Sequence, residues 1–311
     1  MVDNKQQWKA WLYLSPAIIL LLVFTAWPIF NTLRMAFLNG YNAMGAVGGE
    51  TYEFGIANFV KVISYSGFLT CLKNTCLICV LTVPISSMLA LLIAVCLNSI
   101  KPLSRLLQTI YFLPYVTNSI AIGMVFAVMF NIVGGNTDDT VSTYGIINNL
   151  LGVFGIDPVN WINAGSSYIA NITVMVIYIV WNALPFKILI LLGGLQGINK
   201  QYYEAAKIDG ASRATVFWRI TVPLLSPMIA YVVITGFIGG FKEYSSIVGI
   251  FGDTMGPAGA PRRLNTMIGF IYDALANSNY GRASAAALIL FVIIFIITMI
   301  NLYVSKKKVH Y

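Results

Sequence analysis

Glu204-Ala-Ala-Lys-Ile-Asp-Gly210-Ala-Ser-Arg-Ala-Thr-Val-Phe-Trp-Arg-Ile-Thr-Val-Pro223-Leu-Leu-Ser-Pro227 is a charged segment set between two long apolar runs. Tyr202 to Asp209 is rich in helix formers and predicts a short helix with Glu204 in its first turn, where a carboxylate complements the helix dipole. Gly210 ends that helix, because a glycine just past the last helical residue can adopt the left-handed cap conformation. Ser212 can then cap a second helical piece, Ser212 to Ile220. Pro223 and Pro227 are expected to turn the chain before the next apolar run. Such a segment can serve as a docking device or be a short amphipathic connection between two spans.

Working outward, composition decides the class. Of 311 residues 58% are hydrophobic and only 10% charged, with a mean hydropathy of +0.79, far from a soluble globular domain. Crossing the hydrocarbon takes about 20 mostly apolar residues per helix, and such runs recur along the chain. Backbone polar groups in lipid must be satisfied within the segment, so an all-α membrane protein is expected. The net charge of +8 does not indicate nucleic acid, because the basic residues flank apolar runs instead of forming one face.

Six spans are expected, at about 12–37, 71–97, 106–130, 168–192, 222–240 and 283–304, within a single domain covering 1–311 and with the docking loop at 198–221. The first run is too long for a cleavable signal, and Pro16 and Pro28 lie inside it. Pro84 is expected to break the second span near its middle. Lys101 and Arg105 make a short basic connection, which places it in the cytoplasm, and the stretch from Asn131 to Ser167 has Asp138, Asp139 and Asp157 but no Lys or Arg, which places it outside. Both termini then fall in the cytoplasm. Arg262, Arg263 and Arg282 oppose this bias. Gly236-x-x-x-Gly240 offers a close-packing face in the fifth span.

The spacing of Glu204-Ala-Ala, Gly210 and Ile220-x-Val-Pro223 resembles the EAA loop of bacterial ABC-importer permeases, with Val222 where the family usually has Leu. Asp209, Ala211, Phe217 and Pro227 match the fuller form of that loop in carbohydrate importers. Leu72-Lys-Asn74-Thr75, Tyr111-Phe-Leu-Pro114-Tyr115, Ile198 to Pro227 and Lys307-Lys-Val-His-Tyr311 look like the smaller six-span permeases of the same group, in the family's order. The resemblance implies the type I ABC importer permease fold, with a cytoplasmic coupling helix seated in the cleft of an ATPase subunit. It assigns coupling to Glu204, Ala205, Ala206, Asp209, Gly210, Ala211, Phe217, Ile220 and Pro223. It also implies a heterodimer with a second permease, two ATPase subunits and an extracytoplasmic solute-binding protein, in the bacterial cell membrane among its lipids.

No Gly-Lys dipeptide occurs, so the chain cannot form a phosphate-cradling loop ending in Gly-Lys-Ser/Thr. ATP and magnesium therefore belong to a partner chain, and no cofactor, metal or nucleic acid is expected on this one. Cys76-x-x-Cys79 has no second pair and no histidine nearby, and the only histidine, His310, is next to the end of the sequence.

Candidates for the solute pathway are polar groups in or near spans. Asn118, Tyr178, Trp181, Asn182 and Tyr244 could hydrogen-bond or stack on a sugar, but each could equally pack between helices. Lys187 could line the pathway or extend toward the cytoplasmic interface. Lys242 and Glu243, placed at the outer part of the fifth span, could line the pathway or pair with another helix, though not with each other. The leading expectation is import of a sugar or oligosaccharide. A glycerol-phosphate ester or a polyamine is the alternative, because the coupling loop does not specify the solute. An ion-coupled secondary transporter is a less favoured alternative, since it would need carboxylates within the spans and their central portions lack Asp and Glu, and a membrane enzyme would need a clustered acid, base or metal set, which the sequence lacks.

Overall fold

Apolar runs in lipid must close their own backbone hydrogen bonds, and here they do so as long helices. The structure is a computed structural model that describes residues 7–100, 104–133 and 143–308. Lys101, Asp138, Asp139 and His310 lie outside the described residues. In chain order the helices are α1 (Gln7–Leu21), α2 (Trp27–Phe37), α3 (Ala43–Val47), α4 (Ala57–Ile63), α5 (Phe68–Ser99), α6 (Ser104–Val116), α7 (Ser119–Phe130) and α8 (Ile146–Val153). Then follow α9 (Tyr168–Gly197), α10 (Lys200–Ile208), α11 (Arg213–Val216), α12 (Val222–Gly240), α13 (Ser245–Phe251), α14 (Met267–Ala276) and α15 (Tyr280–Lys308). Two-residue strands, β1 (Ile132–Val133) and β2 (Thr143–Tyr144), pair antiparallel.

Among the described residues five helical stretches are long and apolar enough to cross a membrane: 8–37, 68–99, 168–197, 213–240 and 280–306. The third expected span differs. It is two helices bent by 104° at a short break between Val116 and Ser119. Thr117 Oγ1 donates to the Pro114 carbonyl, and the extended Asn118 caps α7 by accepting from the Ile120 and Ala121 amides. A helix end followed at once by a capped helix start makes a corner, not a straight span.

The prolines also behave differently from expectation. Pro84 does not break α5, which runs unbroken for 32 residues. Pro223 does not turn the chain either: α11 and α12 are continuous through a π-helical turn, Phe217–Thr221, in which the Val222 amide bonds to the Phe217 carbonyl. The same device, Leu22–Ala26, precedes Pro28 and joins α1 to α2. Widening the turn just before a proline moves the carbonyl with which its ring would clash, and the helix survives.

Contacts group the chain into two compact units, 1–68 with 270–291, and 69–269 with 292–311. In the first, buried Asn58 ties α4 to the end of α2. Its Nδ2 donates to the Ala36 and Leu38 carbonyls at 3.0 and 2.7 Å, and its Oδ1 accepts from the Gly40 amide at 3.1 Å. Trp8, Trp11, Phe24, Trp27 and Phe30 along α1 and α2 are exposed, a surface suited to lipid or to another membrane subunit.

The second unit holds two apolar clusters. One joins Ile78, Phe130, Met175, Tyr178, Ile247 and Leu264; the other joins Ala90 and Ala94 of α5, Leu191 and Leu195 of α9, and Leu225 and Val232 of α12. The Gly236/Gly240 face packs as expected, against Val83 and Cys79 of α5. A second glycine contact, Gly123 of α7 against Gly249 of α13, has no counterpart in the sequence reading. Arg263, one of the cations opposing the charge bias, donates from Nη1 to the Ser166 carbonyl at 2.7 Å, and Asn74 Nδ2 holds the same loop through the Arg263 and Asn265 carbonyls.

Candidate functional site

Between α9 and α12 the chain forms a helix, a tight turn and a second helix. Asn199 caps α10 by accepting from the Gln201 amide, so α10 begins at Lys200 and Glu204 lies in its second turn, not its first. The dipole therefore does not explain that carboxylate. Gly210 has φ +69°, the left-handed conformation expected of it, and the Ala211 amide bonds back to the Ala206 carbonyl at 2.9 Å, closing the helix end. Ser212 then caps α11, accepting from the Thr215 amide at 3.2 Å.

The two helices present a mixed surface. Glu204, Ala205 and Asp209 are exposed, while Ala206 is buried. Ile208 and Trp218 are 86% and 65% exposed, unusual for such large apolar side chains. Phe217 stacks edge-on against Trp218 at 4.9 Å, and Ala211, Ile220 and Pro223 are half-buried, the last inside α12. Behind the turn lies a groove of about 600 Å³ whose walls include Asn98, Leu195, Lys207, Gly210, Arg213 and Phe217. Exposed carboxylates and apolar side chains on two capped helices suit a surface for a protein partner.

A second cavity, about 290 Å³, lies within the spans among α5, α6, α9 and α12. Among the sequence candidates it collects Asn182, Lys187 and Glu243. It adds Thr82, Ser86, Tyr115 and Thr235, which the sequence reading missed because hydroxyl groups in apolar helices commonly bond to their own backbone. Lys187 is 5% exposed and does not reach toward an interface. Its Nζ donates to Ser86 Oγ at 2.6 Å, Ser87 Oγ at 3.0 Å and the Val83 carbonyl at 3.3 Å.

The remaining candidates have other partners. Tyr178 is fully buried, bonded through its hydroxyl to Ser119, and its ring packs on Phe126, as does that of Trp181. Asn118 caps α7. Lys242 and Glu243 are not in the fifth span: the helix ends at Gly240, Lys242 is exposed in the turn that follows, and Glu243 Oε1 accepts from the Tyr244 and Ser246 amides at the start of α13. Tyr244 packs against the apolar cluster around Tyr178.

Long apolar helices, with a capped helix pair following the third of them, make this a multi-span membrane protein. The chain belongs to the family of binding-protein-dependent transport system inner membrane components, whose model matches residues 75–310. It is 31% identical to the arabinooligosaccharides transport system permease protein AraP of Halalkalibacterium halodurans, over 97% of this chain and 89% of that protein. To the lactose transport system permease protein LacF of Rhizobium radiobacter it is 28% identical, over 96% and 95%. The fold superposes with a TM-score of 0.77 on a chain of a bacterial ABC transporter that imports the acidic polysaccharide alginate, at 22% identity, covering 98% of this chain and 97% of that one. It is thus a multi-pass permease subunit of an ABC importer, a class in which separate subunits hydrolyse ATP and a solute-binding protein delivers the cargo.

Proposed function

We propose that this permease passes a sugar or oligosaccharide, received from an extracytoplasmic solute-binding protein, and that it works as one half of a heterodimer with a second permease. Of the two ATPase subunits, which carry ATP and magnesium, one docks on this chain at α10, the Gly210 turn and α11, with Glu204, Ala205, Asp209, Ile208 and Trp218 at the contact. Both termini and the docking pair face the cytoplasm of a bacterial cell.

The observation that carries the solute reading is the cavity at Lys187. Thr82, Ser86, Thr235, Asn182 and the Tyr115 ring supply neutral hydrogen-bonding groups and an aromatic face, the chemistry that holds a polyol. An ammonium has three N–H donors, and those of Lys187 are taken by two hydroxyls and a carbonyl. A cation so occupied is a poor receptor for a phosphate, which argues against a glycerol-phosphate solute. The similarity to permeases named for arabinooligosaccharides and lactose points the same way.

The test is uptake by the assembled importer in cells lacking other routes, using a radiolabelled disaccharide, a pentose oligosaccharide, glycerol phosphate and a polyamine. Saturable, ATP-dependent uptake of a saccharide is expected. Uptake confined to glycerol phosphate or the polyamine would overturn the solute assignment while leaving the permease class intact.

A further inference from the structure

Arg282 is a cation in an unfavourable place. It lies in the first turn of α15, at the positive end of a 29-residue helix whose first turn carries no acid. Its guanidinium sits between two rings, 4.5 Å from the centre of Tyr65 and 4.9 Å from that of Phe270. Those contacts fix the group and favour its charge but supply no hydrogen-bond acceptor, and its buried Nε has no partner among the described residues.

Beside it is a cavity of about 410 Å³ whose lining includes Arg282, Lys61, Ser64, Asn279, Tyr41 and Tyr65. No carboxylate is among the described lining residues. Lys61, in the last turn of α4, is exposed beside the cavity, so two cations and a helix N-terminus converge on a space with nothing negative in it. Such a convergence attracts an anion, and hydroxyl and amide groups around it can complete the contacts of a tetrahedral oxyanion. Phe54, Ile56, Val60, Ile63 and Tyr65, on and beside α4, are exposed apolar side chains near the cavity. A soluble anion would leave them in water. A lipid would cover them with its acyl chains while its headgroup entered the cavity.

We propose that this cavity is a phosphate-group site whose occupant is the phosphodiester of a membrane phospholipid. Arg282 and Lys61 contact the phosphate oxygens, the Tyr65 and Phe270 rings hold Arg282 in place, and α4 lies against the acyl region. Arg282, one of the cations that oppose the charge bias, is then neutralised, with Lys61, by a lipid phosphate. This rests on the membrane-permease reading but on none of its solute or ATPase assignments.

The experiment uses the whole purified importer, delipidated in detergent and titrated with phosphatidylglycerol, with native mass spectrometry counting retained lipid. Inorganic phosphate and a uronate oligosaccharide are tested in parallel. Lys61→Gln, which alters an exposed side chain, should retain at least several-fold less lipid than wild type; Lys61→Gln with Arg282→Gln should lose at least ten-fold. Arg282→Lys, which keeps the charge over the rings, should retain most of it. Equal retention by wild type and the Lys61→Gln variant overturns the proposal. Charge-dependent binding of inorganic phosphate or uronate without lipid also overturns it, in favour of a soluble anion. Saccharide uptake is measured on the same preparations, so that a wild type which retains lipid but transports nothing counts against the transport reading alone.

Discussion

The ammonium of Lys187 lies 2.6 Å from Ser86 Oγ, across the α9–α5 contact and inside the spans. The pair is asymmetric. Ser86 also donates to the Thr82 carbonyl, and Ser87 to the Val83 carbonyl, so both serines keep hydrogen bonds without the lysine. The lysine would keep only the Val83 carbonyl without the serines. Removing acceptors from a buried cation costs more than removing the cation itself.

We therefore predict that Ser86→Ala with Ser87→Ala destabilises the permease by about 1–3 kcal/mol, the typical cost of stranding a buried donor. Lys187→Met should leave stability unchanged or slightly raised. Thermal unfolding of the detergent-solubilised importer separates the two. A larger loss for Lys187→Met than for the double serine variant would show that the cation itself holds the helices together.

Gly123 and Gly249 let α7 and α13 touch backbone to backbone. A Cβ built on Gly123 would meet the Gly249 Cα at 2.7 Å and its carbonyl carbon at 2.9 Å. Neither atom can rotate away, so the helices must separate. Overpacking of this kind costs typically about 1–3 kcal/mol, and a contact with backbone belongs at the upper end. Gly123→Ala should lower the unfolding temperature and the yield of assembled importer. Gly193→Ala is the control, since nothing lies within 4 Å of a Cβ there. Equal behaviour of the two would mean that the close approach is unimportant.

Local chemistry was readable in the sequence and distant pairing was not. Gly210 and Ser212 have their conformations set by neighbours a few residues away, so the turn and the second cap were legible. The corner in the third span had a local signal too, Pro114 followed by Asn118-Ser119, which the long apolar run masked. Pro223 was misread because the remedy, one widened turn, leaves no trace in composition. The cavity at Lys187 joins residues about one hundred positions apart, and no periodicity in one helix reports what another places opposite it. The Gly123–Gly249 contact escaped notice for the same reason.

Orientation can be tested at exposed positions on either side. Phe154, after α8, is 79% exposed, and Ile208 stands at the end of α10. With Cys71, Cys76, Cys79 and Cys96 replaced, a cysteine at Phe154 should react with a membrane-impermeant maleimide on intact cells, and one at Ile208 only after the membrane is opened. The reverse pattern would invert the topology and put the Gly210 turn on the side without ATP.

The last prediction concerns how ATP hydrolysis reaches the spans. Because α11 continues through the π turn into α12, a push on the docking pair acts on the same rigid rod that carries Gly236 and Gly240 to the Lys187 cavity. A loop would absorb the motion; a continuous helix transmits it. The Gly210 turn is then the adjustable joint between α10 and that rod. A Cβ at Gly210 meets nothing within 4 Å, so substitution there brings no clash, only the cost of a left-handed conformation, about 1–2 kcal/mol. Gly210→Val should consequently leave membrane insertion intact and misalign α10. Glu204 is exposed in this chain and available to a partner. If an ATPase cation buries it, reversing the charge should cost on the order of 3–5 kcal/mol, the penalty for breaking a desolvated pair from one side. Glu204→Lys should thus lose the ATPase during purification, whereas Gly210→Val should keep a substantial part of it yet fail to couple hydrolysis to uptake. Both measurements are made on the same membranes: copies of ATPase recovered with the permease, and solute accumulated per ATP hydrolysed. Normal coupling in both variants would mean that the force enters the spans elsewhere.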